Sequence, residues 1–246
     1  MTPSGSGVSL DELAARYDLP NRAVDRLRNL GAMLADDPLA PTTIREPARI
    51  RDDHLADALV ALELPPVRAA TRIADLGAGA GIPGLPLAVA LPDAAVWLVD
   101  SASRKCQFIE RAIERLGLKN AHVIRARAES WADGRDRVDL VTARALAPLD
   151  VVAEYAAPLL EVGGTLVVWR GKREPQAERA GEIAANKLGL VAAEPVRVWP
   201  YPAAAHRYLH PMSKVLATPP GFPRRPGMAR KHPLGAVAAA SDRARR

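Results

Sequence analysis

The stretch Asp75-Leu76-Gly77-Ala78-Gly79-Ala80-Gly81-Ile82-Pro83-Gly84 gathers four glycines where an apolar run ends and a helical pattern begins. Glycine there lets the backbone turn through positive φ and approach a ligand closely. Gly79, Gly81 and Gly84 satisfy GxGxxG, and Asp100 closes the next apolar run, Val96-Trp97-Leu98-Val99. That acid stands about twenty residues on, where dinucleotide sites place a ribose-binding carboxylate. NAD is therefore one candidate ligand. Asp75 argues against it, because it lies two residues before the first glycine, where dinucleotide sites carry an apolar residue, and it would sit poorly beside a pyrophosphate. A carboxylate in that place suits a cation. S-adenosyl-L-methionine carries both a sulfonium and an ammonium, and the loop favours it over NAD.

Three further positions fall at the same edge of the expected sheet. Asp100 projects from the carboxyl end of a buried strand, where ligands of α/β sheets bind, and can accept both ribose hydroxyls; the alternative is a cap for the helix opening at Ser103. Ala128 and Glu129 follow the third strand, where such folds meet an adenine, unless Glu129 simply faces solvent. Arg144 ends the run Val138 to Ala143 and can grip a carboxylate or phosphate bidentately, or else form a surface ion pair. It is the candidate catalytic residue as well as a cofactor contact. His54 and Asp57, three apart on a helix face, are read as packing or capping groups before catalytic ones. No Cys or His cluster has the spacing of a zinc site, and no metal is expected.

The elements that position these residues change rhythm along the chain. Residues 1–66 read as a small helical cap. Ser9 and Glu12 are spaced as a capping box, Leu10, Leu13, Ala14 and Tyr17 follow at helical intervals, and Ala23, Val24, Leu27, Leu30 and Leu34 repeat the pattern. After a proline-punctuated stretch, Ile50, Leu55, Ala58, Leu59 and Leu62 form a third series that Pro65-Pro66 ends. From Thr71 short apolar runs alternate with helical patterns, the sign of βαβ units and a parallel sheet. Strands are expected at Arg72 to Leu76, Ala95 to Asp100, Ala121 to Arg125, Val138 to Ala143 and Gly164 to Arg170. Helices are expected at Pro83 to Leu91, Ser103 to Leu116, Leu149 to Leu160 and Pro175 to Leu188. Glu194 to Trp199 and Tyr208 to Ala217 are joined by a short Pro/Ala turn and should form an antiparallel hairpin. An antiparallel last strand in a parallel sheet is the methyltransferase version of the doubly wound fold. The fold class is thus α/β: a class I S-adenosylmethionine-dependent methyltransferase, Rossmann-like, with a mostly parallel seven-stranded sheet in residues 67–217.

Charge is distributed as unevenly as pattern. The 246 residues carry a formal net charge of +6. Residues 218–246 hold seven basic side chains (Arg224, Arg225, Arg230, Lys231, Arg243, Arg245, Arg246) against Asp242, so the tail accounts for the whole excess and the body is neutral. Such a tail suggests an anionic partner such as nucleic acid, or plain solubilisation. Prolines 223, 226 and 233 argue against a regular helix, so Arg224, Arg225, Arg230 and Lys231 should track a phosphate backbone. A composition 48% hydrophobic supports a packed core and excludes disorder throughout, while 4% aromatics disfavours extended base-stacking platforms. One cysteine, Cys106, cannot form an intramolecular disulfide and favours the reducing cytoplasm. The opening MTPSGSGVSL lacks a signal-peptide pattern, and nowhere do eighteen apolar residues run together, so neither secretion nor a membrane span is expected.

Together these residues resemble the bacterial small-subunit rRNA guanine-N7 methyltransferases, also called the glucose-inhibited division protein B family. The matching segments are Asp75 to Leu87, Leu98-Val99-Asp100-Ser101, Arg127-Ala128-Glu129 and Thr142-Ala143-Arg144-Ala145. In the tail, Phe222-Pro223-Arg224-Arg225-Pro226-Gly227 and Lys231-His232-Pro233-Leu234 match as well, so the resemblance runs from about Ile44 to Leu234. It implies that Gly77 and Ile82 contact the methionine part of S-adenosyl-L-methionine, with Gly79 beside them, and Asp100 the ribose. Ala128 and Glu129 would frame the adenine, and Arg144 would lie between cofactor and RNA. The cap departs from the family: its Asn-Leu-Thr-Ala element reads Pro41-Thr42-Thr43-Ile44, its Arg-His reads Asp53-His54, and Ala58 replaces a serine; outside the cap, Arg170 replaces a lysine.

The implied reaction is methyl transfer to N7 of a guanine in 16S rRNA, free or in the small ribosomal subunit, by a monomer. Guanine N7 offers a lone pair and no proton, so alignment is the main requirement and no general base is needed. Two alternatives stay open. One is a methyltransferase with another RNA or small-molecule target; the other is a non-enzymatic RNA-binding or ribosome-assembly factor.

Overall fold

The structure is a computed structural model that describes residues 7–236. Arg243, Arg245 and Arg246 of the basic tail lie outside the described residues.

The cap opens with α1 (Leu10–Tyr17), where Ser9 Oγ accepts the Glu12 N–H at 3.1 Å and Glu12 Oε2 accepts the Ser9 N–H at 2.6 Å, as the spacing predicts. α2 (Asn21–Asp36) follows and buries Leu27, Leu30 and Leu34 completely. Each contributes about 1.5 to 3 kcal/mol of apolar burial. The third helical series is one unbroken rod of changing pitch: α3 (Pro47–Ile50), a π-helical segment Arg51–Ala56, α4 (Asp57–Leu59) and a 3₁₀ turn Val60–Glu63. π segments inside helices recur at functional sites, and this one carries Asp53 and His54. A short α5 (Pro65–Arg68) starts at the prolines that end the rod.

The sheet half then alternates β1 (Arg72–Leu76), α6 (Gly84–Ala90), β2 (Ala95–Asp100), α7 (Ser103–Leu116), β3 (Ala121–Arg125), β4 (Val138–Arg144), α8 (Leu149–Ala156), β5 (Leu160–Arg170) and α9 (Pro175–Lys187). The chain closes with β6 (Leu190–Ala192), β7 (Val196–Arg197), β8 (Tyr208–Lys214) and α10 (Met228–Lys231). Strand order is β3-β2-β1-β4-β5-β8-β6, with β7 also on β8. The first five strands are parallel, and β8 enters antiparallel between β5 and the edge, with Val167 opposite Pro211. The expected hairpin is present, Val196 pairing with Leu209. The edge element is longer than expected and broken at Ala193 to Pro195, because Pro195 has no N–H to give β8. Counted as one interrupted strand, it completes seven.

Alternation along the strands sends Ile73, Val96, Leu98 and Leu140 to one face and Ala74, Leu76, Val141 and Ala143 to the other. The first face shares a single apolar cluster with α6, α7 and the cap, so Leu13, Leu27 and Leu55 belong to the same core as Leu85 and Phe108. The second packs α8, α9 and Ala229 of α10. Among the described residues no helix is long and apolar enough to cross a membrane.

Candidate functional site

Along the carboxyl ends of β1, β4 and β5 lies a cavity of about 770 Å³. Its walls come from three segments remote in sequence. The glycine loop gives Gly77, Gly79 and Ile82, the cap gives Thr42, Asp53, His54 and Asp57, and the ends of β4, β5 and β8 give Arg144, Arg170 and Tyr208.

The glycine wall is held from behind. Gly77, Gly79 and Gly81 all have positive φ, and a Cβ built on Gly79 would project clear of every side chain, so the loop presents bare backbone to the cavity. Gly84 is required for a different reason: a Cβ there would lie 2.7 Å from Asp75 Oδ2. Asp75 is fully buried; Oδ2 accepts the Gly84 N–H at 2.9 Å and Oδ1 accepts the Thr142 hydroxyl at 2.9 Å. Burial raises its pKa to about 7. It does not line the cavity, so the expected direct contact with a cationic ligand is corrected: both oxygens are spent bracing the loop and the start of α6.

Asp100 sits at the other side of the loop. Oδ2 accepts the Gly79 N–H at 3.1 Å, Oδ1 accepts the Ala102 N–H at 2.9 Å, and Lys105 Nζ stands 3.5 Å from Oδ2. Asp100 thus fastens the glycine loop to the turn that enters α7, and like Asp75 it is buried and outside the cavity lining. Beneath it the buried Cys106 thiol donates to the Asp100 carbonyl at 3.2 Å. Ala128 and Glu129 form a 3₁₀ turn farther along the sheet edge, outside the cavity lining, where Glu129 Oε1 accepts the Gly227 N–H of the tail at 3.1 Å.

Arg144 turns toward the cap. Its NH1 donates to the Asp53 carbonyl at 2.8 Å and to Asp57 Oδ2 at 3.0 Å, and its NH2 lies 3.1 Å from His54 Nδ1. Arg144 is thus engaged within the chain, by two residues of the π-helical segment and one beyond, and grips no carboxylate bidentately. Arg207 reinforces the junction, with NH2 3.0 Å from Asp53 Oδ1 and Nε 3.2 Å from Asp57 Oδ1. Tyr201 donates to the same Asp53 oxygen at 2.6 Å, and the Trp169 indole donates to the Asp57 carbonyl at 2.7 Å. Burial pushes Asp57 upward against the pull of the two arginines. Burial, then the Arg144 charge, lowers His54 to about 4, so its ring is neutral at physiological pH. Sequence reasoning assigned no role to Thr42, Asp53, Tyr201 and Arg207: Thr42 meets His54 within the cap, and only the antiparallel placement of β8 brings Tyr201 and Arg207 to Asp53.

The tail also differs from expectation. Arg224 makes a bidentate pair with Glu154, 2.8 Å from Nε to Oε1, and donates to the His232 carbonyl at 2.8 Å. Glu154 is buried on α8 and requires a countercharge there. Arg230 donates to the Leu146 carbonyl at 2.8 Å. These two are anchors on the body, whereas Arg225 and Lys231 are exposed and take no protein partner among the described residues. No group of three metal-ligating side chains occurs among the described residues.

Comparison with known proteins agrees with this architecture. Over residues 38–196 the chain matches the family model described as GidB, rRNA small subunit methyltransferase G. The ribosomal RNA small subunit methyltransferase G of Rubrobacter xylanophilus is 40% identical, with 77% of this chain and 75% of that one aligned. That of Gloeobacter violaceus is 36% identical over 94% of each chain. Among solved structures, a SAM-dependent methyltransferase from Aquifex aeolicus superimposes with a TM-score of 0.52 at 17% identity, covering 76% of this chain and 97% of that one, which shows the class I fold. By its matched residues and its relatives, this chain belongs to the rRNA small subunit methyltransferase G family.

Proposed function

We propose that the protein transfers a methyl group from S-adenosyl-L-methionine to N7 of a guanine in small-subunit (16S) rRNA. The loop Gly77 to Ile82 holds the methionine end, Asp100 takes the ribose hydroxyls, and Ala128 and Glu129 border the adenine. The open backbone at Gly79 beside the Asp100 carboxylate supports that fit. When bound, the cofactor supplies an electrophilic methyl group on a sulfonium centre.

One observation carries the choice of acceptor. The imidazole of the cavity wall, His54, is neutral with both ring nitrogens in hydrogen bonds, and Asp53 and Asp57 are held by arginines. The imidazole and both carboxylates of the cap wall are thus engaged within the chain, Asp57 Oδ1 by its ion pair with Arg207 and no hydrogen bond, so the wall supplies no base clear of an arginine. N7 of guanine needs none, since it carries a lone pair and no proton; alignment alone lowers the barrier. Arg144 is then a positioning residue, which keeps the cap wall set against the glycine wall. Arg170 and Lys172, in the lining without protein partners among the described residues, supply positive charge for the RNA backbone, as do Arg225 and Lys231. A cytoplasmic monomer is part of the same reading.

The test is mass spectrometry of 16S rRNA from cells with and without the gene, with purified protein added back to the unmodified RNA. Loss and return of one N7-methylguanine supports the proposal. An unchanged guanine inventory refutes it.

A further inference from the structure

The hydroxyl of Thr42 is locked as a donor by a chain of contacts that begins at Arg144. A guanidinium has only donors. The Arg144 NH2 stands 3.1 Å from His54 Nδ1, so that nitrogen is the acceptor and the proton of the neutral ring is on Nε2. The Asp53 carbonyl also lies 3.1 Å from Nδ1 and accepts from Arg144 NH1 at 2.8 Å, but a proton on Nδ1 would set two donors, the ring N–H and the guanidinium NH2, against each other at 3.1 Å. His54 Nε2–H therefore donates to Thr42 Oγ1 at 2.9 Å, and the Ile44 N–H donates to the same oxygen at 3.1 Å. Both lone pairs of the hydroxyl are filled. Its own proton has no acceptor among the described residues, and Thr42 lines the cavity. An ordinary threonine can turn to donate or accept; this one can only donate.

Resting on the function proposed above, we infer that Thr42 is a specificity-determining residue that donates to an oxygen acceptor on the edge of the target base, O6 of the guanine. Position 6 adjoins N7 on the purine, so a base presented for transfer to N7 brings its 6-substituent to the same side. Guanine places an acceptor there and adenine an amino donor. A donor that cannot reverse its polarity accepts the first and repels the second. The cofactor carboxylate offers the same acceptor chemistry, and the experiment separates the two.

Single-turnover methylation of 16S rRNA is compared for wild type, Thr42→Val and Thr42→Ser, with the modified guanine left in place or replaced by 2-aminopurine, which has only hydrogen at position 6. Taking the ratio of variant to wild type on each RNA cancels the intrinsic reactivity of the base. Thr42→Val is expected to slow guanine methylation about tenfold, the scale of one hydrogen bond, and to leave the 2-aminopurine rate unchanged. Thr42→Ser should retain the guanine rate. Equal slowing on both RNAs overturns the inference, because loss of a merely structural hydroxyl does not distinguish the bases. A tenfold loss of cofactor affinity, with the base ratio intact, overturns it in favour of the carboxylate.

The ¹⁵N spectrum of the His54 ring in the free protein provides a readout independent of turnover. A proton on Nε2 is expected, and one on Nδ1 overturns the inference alone. Wild-type protein that leaves all guanines unmethylated overturns the functional proposal, and this inference with it.

Discussion

Arg144 at the end of β4 and Asp57 in the cap rod meet at 3.0 Å across 87 positions of sequence, and through that pair the cap wall is set against the sheet edge. The carboxylate is buried and the guanidinium half-buried, so neither charge is well solvated away from the other.

Replacing Arg144 with Ala leaves Asp57 buried beside Arg207 alone. Breaking a buried pair costs about 3 to 5 kcal/mol; the surviving Arg207 contact brings the expected loss of stability to about 2 kcal/mol. Urea denaturation of Arg144→Ala, Asp57→Asn and the double variant measures it. The double variant should lose less than the sum of the singles, and strict additivity would mean that the pair is not coupled.

Asp75 gives a pH signature. Its folded pKa is raised to about 7 from 3.8, so the folded state binds more protons than the unfolded state between those values. Stability from this group is therefore lost as pH rises from about 4 to about 7, by up to ~1.4 kcal/mol per pH unit, and is level above. Asp75→Asn should remove that slope. Denaturation midpoints of the two proteins at pH 4.5 and 7.5 decide; a constant difference contradicts the burial argument.

His54 and His210 act in the opposite direction. Burial lowers both to about 4, so the unfolded chain takes up protons between about 4 and 6.5 that the folded one refuses. Their contribution to stability rises with pH through that window. Relative to wild type, His210→Gln should be less destabilised at pH 5 than at pH 8. A larger penalty at pH 5 would show that the ring is charged in the fold.

Asp100→Ala should weaken cofactor binding by about 1.5 to 3 kcal/mol, the scale of charge-assisted hydrogen bonds. Because the carboxylate also receives Gly79 and Ala102, thermal stability should fall as well. Asp100→Asn keeps an acceptor oxygen and should recover part of each. Titration calorimetry and melting on the same samples check both, and unchanged affinity for Asp100→Ala would remove the residue from the site.

The tail arginines should separate into two kinds. Arg224→Ala strands the buried Glu154 carboxylate and should cost about 3 kcal/mol. Neutralising Arg225 and Lys231 should leave stability unchanged and reduce the salt slope of rRNA binding by about 0.7 to 0.9 log unit per lost contact. An Arg224→Ala protein as stable as wild type would contradict the anchor role.

The parallel half of the fold was legible because its strands are short, largely apolar runs alternating with helical patterns, and two of them end on the charged residues Asp100 and Arg144. α7 begins at Ser103 and ends at Leu116 as its pattern says, with Gly117 at φ 59 closing it. α8 stops at Ala156, four residues early, because Pro158 cannot continue a helix, and β5 starts at Leu160 before its glycines. The π-helical pitch of Arg51–Ala56 has no signature in an apolar pattern, and two partners of the residues it carries, Arg144 for His54 and Tyr201 for Asp53, lie 90 and 148 residues farther along the chain. Tyr201 and Arg207 fell in a segment that reads as a turn, and their role follows from where β8 pairs.

The contact between Arg207 and Asp53 closes 154 residues of chain. During synthesis from the amino end, the cap, the glycine loop and Arg144 all leave the ribosome before the antiparallel strand that begins at Tyr208 exists. Until then Asp57 has a single arginine and Asp53 lacks both Tyr201 and Arg207. Long-range pairing of this kind is slow to form, since chain entropy is lost before the contact is gained. The cap wall is therefore completed only after Arg207 has been synthesised and β8 has paired, and a chain released before that carries the glycine wall with an unfinished partner.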